Sequence, residues 1–280
     1  MKKILSLFCV LFVSCNTGNL VVVSDLPKSL HEASGIEKLN NSDLIWMIND
    51  SGNKSILYGL DTLGVIKKQL KIKAKNHDWE ELTKDKSGNL YIGDFGNNAN
   101  KRKNLVILKV MNNSLKSSKA IHVDKISFYY PEQKKFPPKA NKMHFDSESF
   151  FHYNDSLFLF TKSRTKADLG KTNLYKIPAK KGNHKAQFVS SFTTCSEHGC
   201  WITSADINEA ENKIALLTEH SVFIFENFNS SDFFSGSVKQ YPFNYDSQKE
   251  SVIFKNDTLL YITDERSGPK GGNIYTLKIE

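Results

Sequence analysis

Residues 78–94 open with Asp78-Trp79-Glu80-Glu81-Leu82 and close with Leu90-Tyr91-Ile92-Gly93-Asp94, two apolar runs around the turn Lys84-Asp85-Lys86-Ser87-Gly88-Asn89. A short run, a Gly-containing turn and a second run make a β-hairpin signature. The same layout recurs along the chain. Glu32-Ala33-Ser34-Gly35-Ile36 leads to Leu44 through Asp50, Asp146-Ser147-Glu148 leads to Leu157 through Lys162, Ala205-Asp206-Ile207 leads to Ile214 through Glu219, and Lys249-Glu250-Ser251-Val252 leads to Leu259 through Asp264. The leading acids fall at 32, 80, 148, 206 and 250, with intervals of 48, 68, 58 and 44 residues.

Each repeat adds a third apolar run (Leu57-Tyr58, Val106-Ile107, Leu174-Tyr175, Val222-Phe223, Ile274-Tyr275). Most add a fourth, within 65–73, 121–130, 186–192 and 238–243. Four strands per repeat of this length is one blade of a β-propeller. The last repeat has only 30 residues after Glu250, too few for a fourth strand, and Leu20-Val21-Val22-Val23-Ser24 supplies it from the other end of the chain. The expectation is an all-β, five-bladed propeller closed by an N-terminal strand in the last blade. A six-bladed ring is the alternative if residues 96–145 hide an irregular blade. The basic, Pro-containing stretch 133–142 reads as an excursion between blades.

Composition agrees. Across 280 residues, 39% are hydrophobic and 24% charged, with 19 Phe and 10 Tyr, which favours a packed β core and excludes disorder, collagen and a polytopic membrane protein. Residues 1–15 read MKKILSLFCVLFVSC, two lysines before a short apolar stretch ending in small residues and cysteine, the layout of an export signal. Phe12-Val13-Ser14-Cys15 resembles a lipobox, so Cys15 is the expected lipidation site. Residues 1–15 are then a lipoprotein signal peptide, and 16–280 a single propeller domain anchored in the cell envelope, facing the periplasm or the surface. Without Lys2 and Lys3 the chain holds 36 basic and 30 acidic residues, a mild and scattered excess that does not point to nucleic acid. Membrane contact is expected only through the lipid, and the protein is expected to be a monomer.

Cys195 and Cys200 flank Ser-Glu-His-Gly, and two cysteines five apart around a turn in an oxidising compartment predict a hairpin disulfide. Zinc held by Cys195, His198 and Cys200 is the rival, and it lacks a fourth ligand.

In a blade the first strand begins, and the second ends, on the same face of the ring. That face should gather Glu32, Asp50, Asp78, Glu80, Asp94, Asp146, Glu148, Asp206, Glu250 and Asp264 around the central funnel, each a candidate metal ligand. So many carboxylates repel one another, and a hard cation with oxygen ligands, Ca2+, relieves them. Acids that only bond the backbone of the next blade are the structural alternative. His31, His77, His144 and His198 lie just upstream of leading acids, and mixed His and carboxylate ligands would suit zinc or manganese. The Gly-Asn loops after Asp50 and Asp94 suit a cation or a sugar hydroxyl, or only cap their hairpins.

Glu32-Ala33-Ser34-Gly35, Asn49-Asp50-Ser51-Gly52-Asn53, Asp78-Trp79-Glu80 and Gly93-Asp94-Phe95-Gly96-Asn97-Asn98 with Arg102 follow one another in an order that resembles a family of exported bacterial β-propeller proteins. That family is similar to the esterase-like phytase propellers, and more distantly to five-bladed calcium-dependent nucleotidases. The resemblance covers most of residues 32–264, is specific in the first two blades and looser after Asp146. It implies the fold and not an activity. Asn97 stands where that family commonly carries an acid.

Two functions stay open. In the enzyme reading the metal orients a small anionic ester, such as a phosphoester, Glu80 or Glu148 activates water, and Arg102 or Arg164 holds the anion. In the binding reading the rim docks a glycan, peptide or envelope partner. A paired-carboxylate glycosidase is a third reading, which needs a carboxylate separation the sequence does not give. The lipobox is tested by Cys15→Ser: the protein should stay unprocessed or leave the membrane fraction, and unchanged partitioning with lipoproteins contradicts it.

Overall fold

The computed structural model describes residues 16–280 apart from Asn41 and Pro269. Residues 1–15, including Cys15, lie outside the described residues. Five antiparallel sheets form the five blades. In order from inner to outer strand, blade 1 is Ala33–Lys38, Ile45–Asn49, Ile56–Leu60 and Ile66–Lys71. Blade 2 is Trp79–Lys84, Leu90–Asp94, Val106–Val110 and Asp124–Tyr129. Blade 3 is Asp146–Tyr153, Ser156–Lys162, Lys171–Pro178 and Gln187–Thr193. Blade 4 is Ser204–Ile207, Lys213–Leu217, Ser221–Glu226 and Ser237–Pro242. Blade 5 is Lys249–Asn256, Leu259–Asp264, Asn273–Lys278 and, from the other end of the chain, Val21–Asp25.

The ring therefore closes as expected. Val21 pairs opposite Thr276 and Asp25 opposite Asn273. One strand departs from the four-per-blade plan: Gly182–Lys185, between the third and fourth strands of blade 3, lies parallel to Asp124–Tyr129 and becomes a fifth strand of blade 2. Its Gly-Asn-His-Lys sequence has no apolar alternation to announce a strand. It covers an edge that would otherwise be open. Residues 133–142 hold one 3-10 turn, Ala140–Lys142, and no blade, which removes the six-bladed alternative.

Packing follows the ring. Each of five apolar clusters fills the space between two consecutive blades. Trp46, Ile48, Trp79 and Leu90 lie between blades 1 and 2. Phe95, Phe128, Phe150 and Tyr175 lie between blades 2 and 3, and Phe151, Phe160, Phe223 and Phe233 between blades 3 and 4. The cluster of Ile36, Met47, Ile253 and Tyr261 joins blade 5 to blade 1, so the ring seam is packed like every other interface.

The closing strand is thinly buried: Val21, Val22 and Val23 are exposed, while Leu20 and Leu26 at its two ends are buried. Its contribution is one or two leucines plus a hydrogen-bonded ladder. Deleting residues 20–24 should cost roughly 3–5 kcal/mol, from about 2 kcal/mol per buried leucine and about 1 per lost hydrogen bond. Chemical denaturation of the truncated protein checks this, and an unchanged midpoint would mean the ring does not need its N-terminal strand.

Candidate functional site

The inner strands carry the chemistry, and a repeated β-bulge aims it. The pairing register slips between Ala33 and Gly35, Trp79 and Glu81, Ser147 and Ser149, and Lys249 and Ser251. The extra residues left out of the ladder are Ser34, Glu80, Glu148 and Glu250. A bulge kinks its strand and redirects the unpaired side chain. Three glutamates thus occupy equivalent positions in blades 2, 3 and 5. Blade 4 has no slip, and Ser204 sits opposite Leu217 at the level of Glu81 opposite Gly93.

That offset corrects one expectation. Asp206 lies two residues further along its strand than Ser204, toward the other mouth of the channel. There it accepts a hydrogen bond from Phe254 N at 2.7 Å, a stitch between blades 4 and 5. Burial first, and then Glu37, push its carboxyl up to about 7, with Lys84 opposing. Asp264 also leaves the rim. It is fully buried inside blade 5 and accepts from Tyr275 OH at 2.7 Å and Asn273 N at 2.9 Å. Asp94 is held by Arg102 Nη2 at 2.8 Å, His77 at 2.9 Å and Asp78 N at 3.2 Å. These three are bonded into the fold: Asp206 accepts from the backbone of the next blade, as the structural alternative has it, whereas Asp94 and Asp264 are held by donors of their own blades.

Asp50, Asp78 and Glu80 do converge. One carboxylate oxygen from each lies within 4.8 Å of the others. Gly96 makes the room: a Cβ there would collide with Glu80 Oε1 and Asp78 Oδ2. No ion pair reaches these three acids among the described residues. Burial first, and then Glu148, Asp50, Asp78 and Asp146, raise the Glu80 carboxyl well above its ordinary range. Burial chiefly, with Asp78, Glu265 and Glu32 adding, pushes Asp50 up to about 6 against the Ser51 backbone N–H. Asp78 is raised chiefly by burial, against the Ser51 side chain and Arg102, with Asp146 and Asp94 adding.

The next sector of the rim is neutralised from within. Arg164 donates from Nε to Asp146 Oδ2 at 2.5 Å and from Nη2 to Glu148 Oε1 at 2.9 Å, and Lys162 Nζ lies 3.5 Å from the same Glu148 oxygen. Asp146 also stitches blades 2 and 3 by accepting from Asn97 N at 2.6 Å. Asn97 is itself spent on Phe145 O and Arg102 N. Arg102 turns inward to Asp94 and to Gly96 O at 2.8 Å, so it braces the loop after Asp94 instead of facing the funnel. Glu32 accepts from Asn53 Nδ2 at 2.5 Å beside Asp50, and Glu250 accepts from Gln248 at 2.7 Å near Lys162.

The four histidines stay outside the triad. His77 bonds Asp94, His144 contacts Ser163 at 3.0 Å, His31 lies 3.8 Å from Glu32, and His198 packs edge-on against Trp201. Cys195 and Cys200 form the expected disulfide, with Cα atoms 5.6 Å apart. The pinned loop leads to Trp201, whose ring lies 5.0 Å from Lys162 Nζ and supplies an aromatic wall at the rim.

Sequence reasoning missed Glu81. It is 1% exposed and accepts from Ser204 Oγ of blade 4 and, at 3.1 Å, from Ser251 Oγ of blade 5. A blade 2 side chain thus crosses the axis and plugs the channel, and burial holds its carboxyl well above the usual range. The signal was two consecutive glutamates at the head of an inner strand, which only a bulge lets face the same way.

No family model matches the sequence, and no curated protein matches it. Solved structures do. An aldose sugar dehydrogenase from Streptomyces coelicolor, solved with bound PQQ, has a TM-score of 0.55 at 10% identity, over 94% of this chain and 98% of that one. A gluconolactonase from Xanthomonas campestris has a TM-score of 0.53 at 10% identity, over 95% and 92%. At these identities the likeness shows the β-propeller fold alone.

A carboxyl whose folded pKa lies above its unfolded value stabilises the fold below the unfolded pKa, and that contribution is lost as pH rises through the folded pKa. Asp50, moving from 3.8 to about 6, and Glu250, moving from 4.5 to about 8, place the loss between about pH 4 and pH 8. Without divalent cations the protein should melt higher near about pH 5 than near about pH 8, and Asp50→Asn with Glu250→Gln should reduce the difference, leaving the share of Asp146 and Asp206. A melting temperature that climbs over this interval contradicts the assignment.

Proposed function

We propose that this propeller is a lipid-anchored envelope protein that holds one Ca2+ at Asp50, Asp78 and Glu80 and uses it to hydrolyse a small anionic ester of the phosphoester class. The observation that supports it is the contrast along one rim. Asp146 and Glu148 come with Arg164 and Lys162 built in, whereas Asp50, Asp78 and Glu80 meet without an ion pair among the described residues and with a glycine left bare against them. An all-oxygen donor set of three carboxylates suits a hard cation and leaves positions for water and substrate oxygens. Bound there, the ion supplies Lewis acidity toward an ester or phosphoryl oxygen.

The chain's own groups divide the remaining work. Arg164 is anchored by Asp146 and Glu148 and keeps Nη1 without a partner among the described residues, available to an anionic oxygen. Glu148, held by two cations, is a poor base, and its role is to position Arg164 and Lys162. Glu80, with no hydrogen bond of its own among the described residues, is the group placed to accept a proton from water once a bound ion holds it ionised. Arg102 braces the loop that carries Gly96.

A non-catalytic propeller for a glycan, peptide or envelope partner is the second reading. It is favoured by one specific fact: Asp94, Asp146, Asp206 and Asp264 all bond backbone N–H groups, so a large share of the acids serves the ring.

At a hundredfold excess over its dissociation constant, a ligand adds about 2.7 kcal/mol. For a domain of this size that is roughly 5–10 °C in melting temperature. Ca2+ should raise the melting temperature by that order, chelator should reverse it, and Asp78→Asn should abolish both responses together with hydrolysis of p-nitrophenyl phosphate. A calcium response without hydrolysis moves the protein to the binding reading, and no calcium response removes the metal site.

A further inference from the structure

The channel has a second mouth, sealed from the first by Glu81. A cavity of about 410 Å3 opens there, within the range of small-ligand sites. It lies over the hairpins of blades 1, 2 and 4, away from Asp50, Asp78 and Glu80. One wall is apolar, made by Leu39, Leu44, Trp46 and Leu115.

The charges around it do not cancel evenly. Every carboxylate that lines the cavity already holds a donor: Glu37 has Lys84 at 2.9 Å, Asp85 has Lys109 at 3.4 Å, and Asp206 has Phe254 N at 2.7 Å. Glu209 has Asn40 Nδ2 at 2.8 Å, and Glu211 has Lys86 at 2.7 Å. Lys68 and Lys116 line the same cavity and bond to nothing among the described residues. Trp46 Nε1, a donor in the apolar wall, is likewise buried without a partner, and Glu37 Oε2 is the one unmet acceptor of the lining residues. Five carboxylates and four lysines line the cavity, and the two lysines without a partner among the described residues, with Trp46 Nε1, are the donors that stand free beside its hydrocarbon wall.

We propose that this second mouth binds a small monoanion with an apolar body, such as a medium-chain carboxylate. The chain lies against Leu39, Leu44, Trp46 and Leu115, and the carboxylate sits between Lys68 and Lys116. Hydrophobic burial supplies affinity, and the two ammonium groups select a charged head over a neutral one.

Titration calorimetry at low ionic strength with octanoate and with 1-octanol tests this, since the two share a tail and differ in charge. Octanoate should bind at least about tenfold more tightly, in keeping with two partly exposed cations at low screening. Lys68→Gln with Lys116→Gln changes two surface side chains that hold no structural bond, and it should bring the two ligands to within about twofold. The melting response to Ca2+ should be the same in that variant as in the unaltered protein, which separates this site from the carboxylate rim. Absence of octanoate binding, equal affinity for both ligands, or an undiminished preference in the double variant would overturn the assignment.

Discussion

Carboxylates brought together out of water must each be hydrogen-bonded, neutralised by a cation or protonated, and that constraint shapes the axis of this ring. Different acids of the ring meet it in different ways. Asp94, Asp206 and Asp264 are satisfied by backbone and side-chain donors of their own or the next blade. Asp146 and Glu148 are neutralised by Arg164, and Glu37 by Lys84. Glu81 is bonded to serines of two opposite blades, and burial raises its carboxyl well above the usual range. Among the described residues, Asp50, Asp78 and Glu80 converge without an ion pair, and function is assigned to them for that reason.

The arrangement follows from local backbone geometry. Four of the five inner strands begin with a bulge, and the bulge decides which residue of a polar pair looks into the funnel. Blade 4 has no such bulge and has Thr203 at the level of Glu80 and Glu148, and Ser204 at the level of Glu81 and Ser149. The funnel is therefore lopsided. Blades 1 and 2 supply unneutralised acids, blade 3 supplies acids with their own cations, and blade 4 supplies Trp201 behind a disulfide. Such asymmetry suits a ligand with one oxygen-rich end and one flat or apolar end.

Much of this was legible in the sequence. The hairpin repeat gave four strands per blade, five blades and the closing strand at Leu20–Ser24, because apolar alternation and turn residues survive in every repeat. The Cys195–Cys200 bridge followed from its spacing around a turn, read with the expected export. The site was legible only to within two residues. Matching acids by position in the repeat put Asp206 beside Glu80, but strand register, which no sequence pattern states, moves it toward the opposite mouth. The parts played by Glu81 and Gly96 were not legible for a related reason: they come from what crosses the axis or presses on the loop, which the Glu-Glu pair and the Gly-Asn loop in the sequence do not state. The strand at Gly182–Lys185 pairs with a different blade from its sequence neighbours, which a reading by repeats cannot find.

The central claim is that one sector of the rim takes a cation and the neighbouring sector does not. Anomalous diffraction from crystals soaked in Tb3+, a hard trivalent stand-in for calcium, tests it most directly. One strong peak bounded by Asp50, Asp78 and Glu80 is the predicted result. A peak between Asp146 and Glu148 with Arg164 displaced, or no peak in the funnel at all, would contradict it.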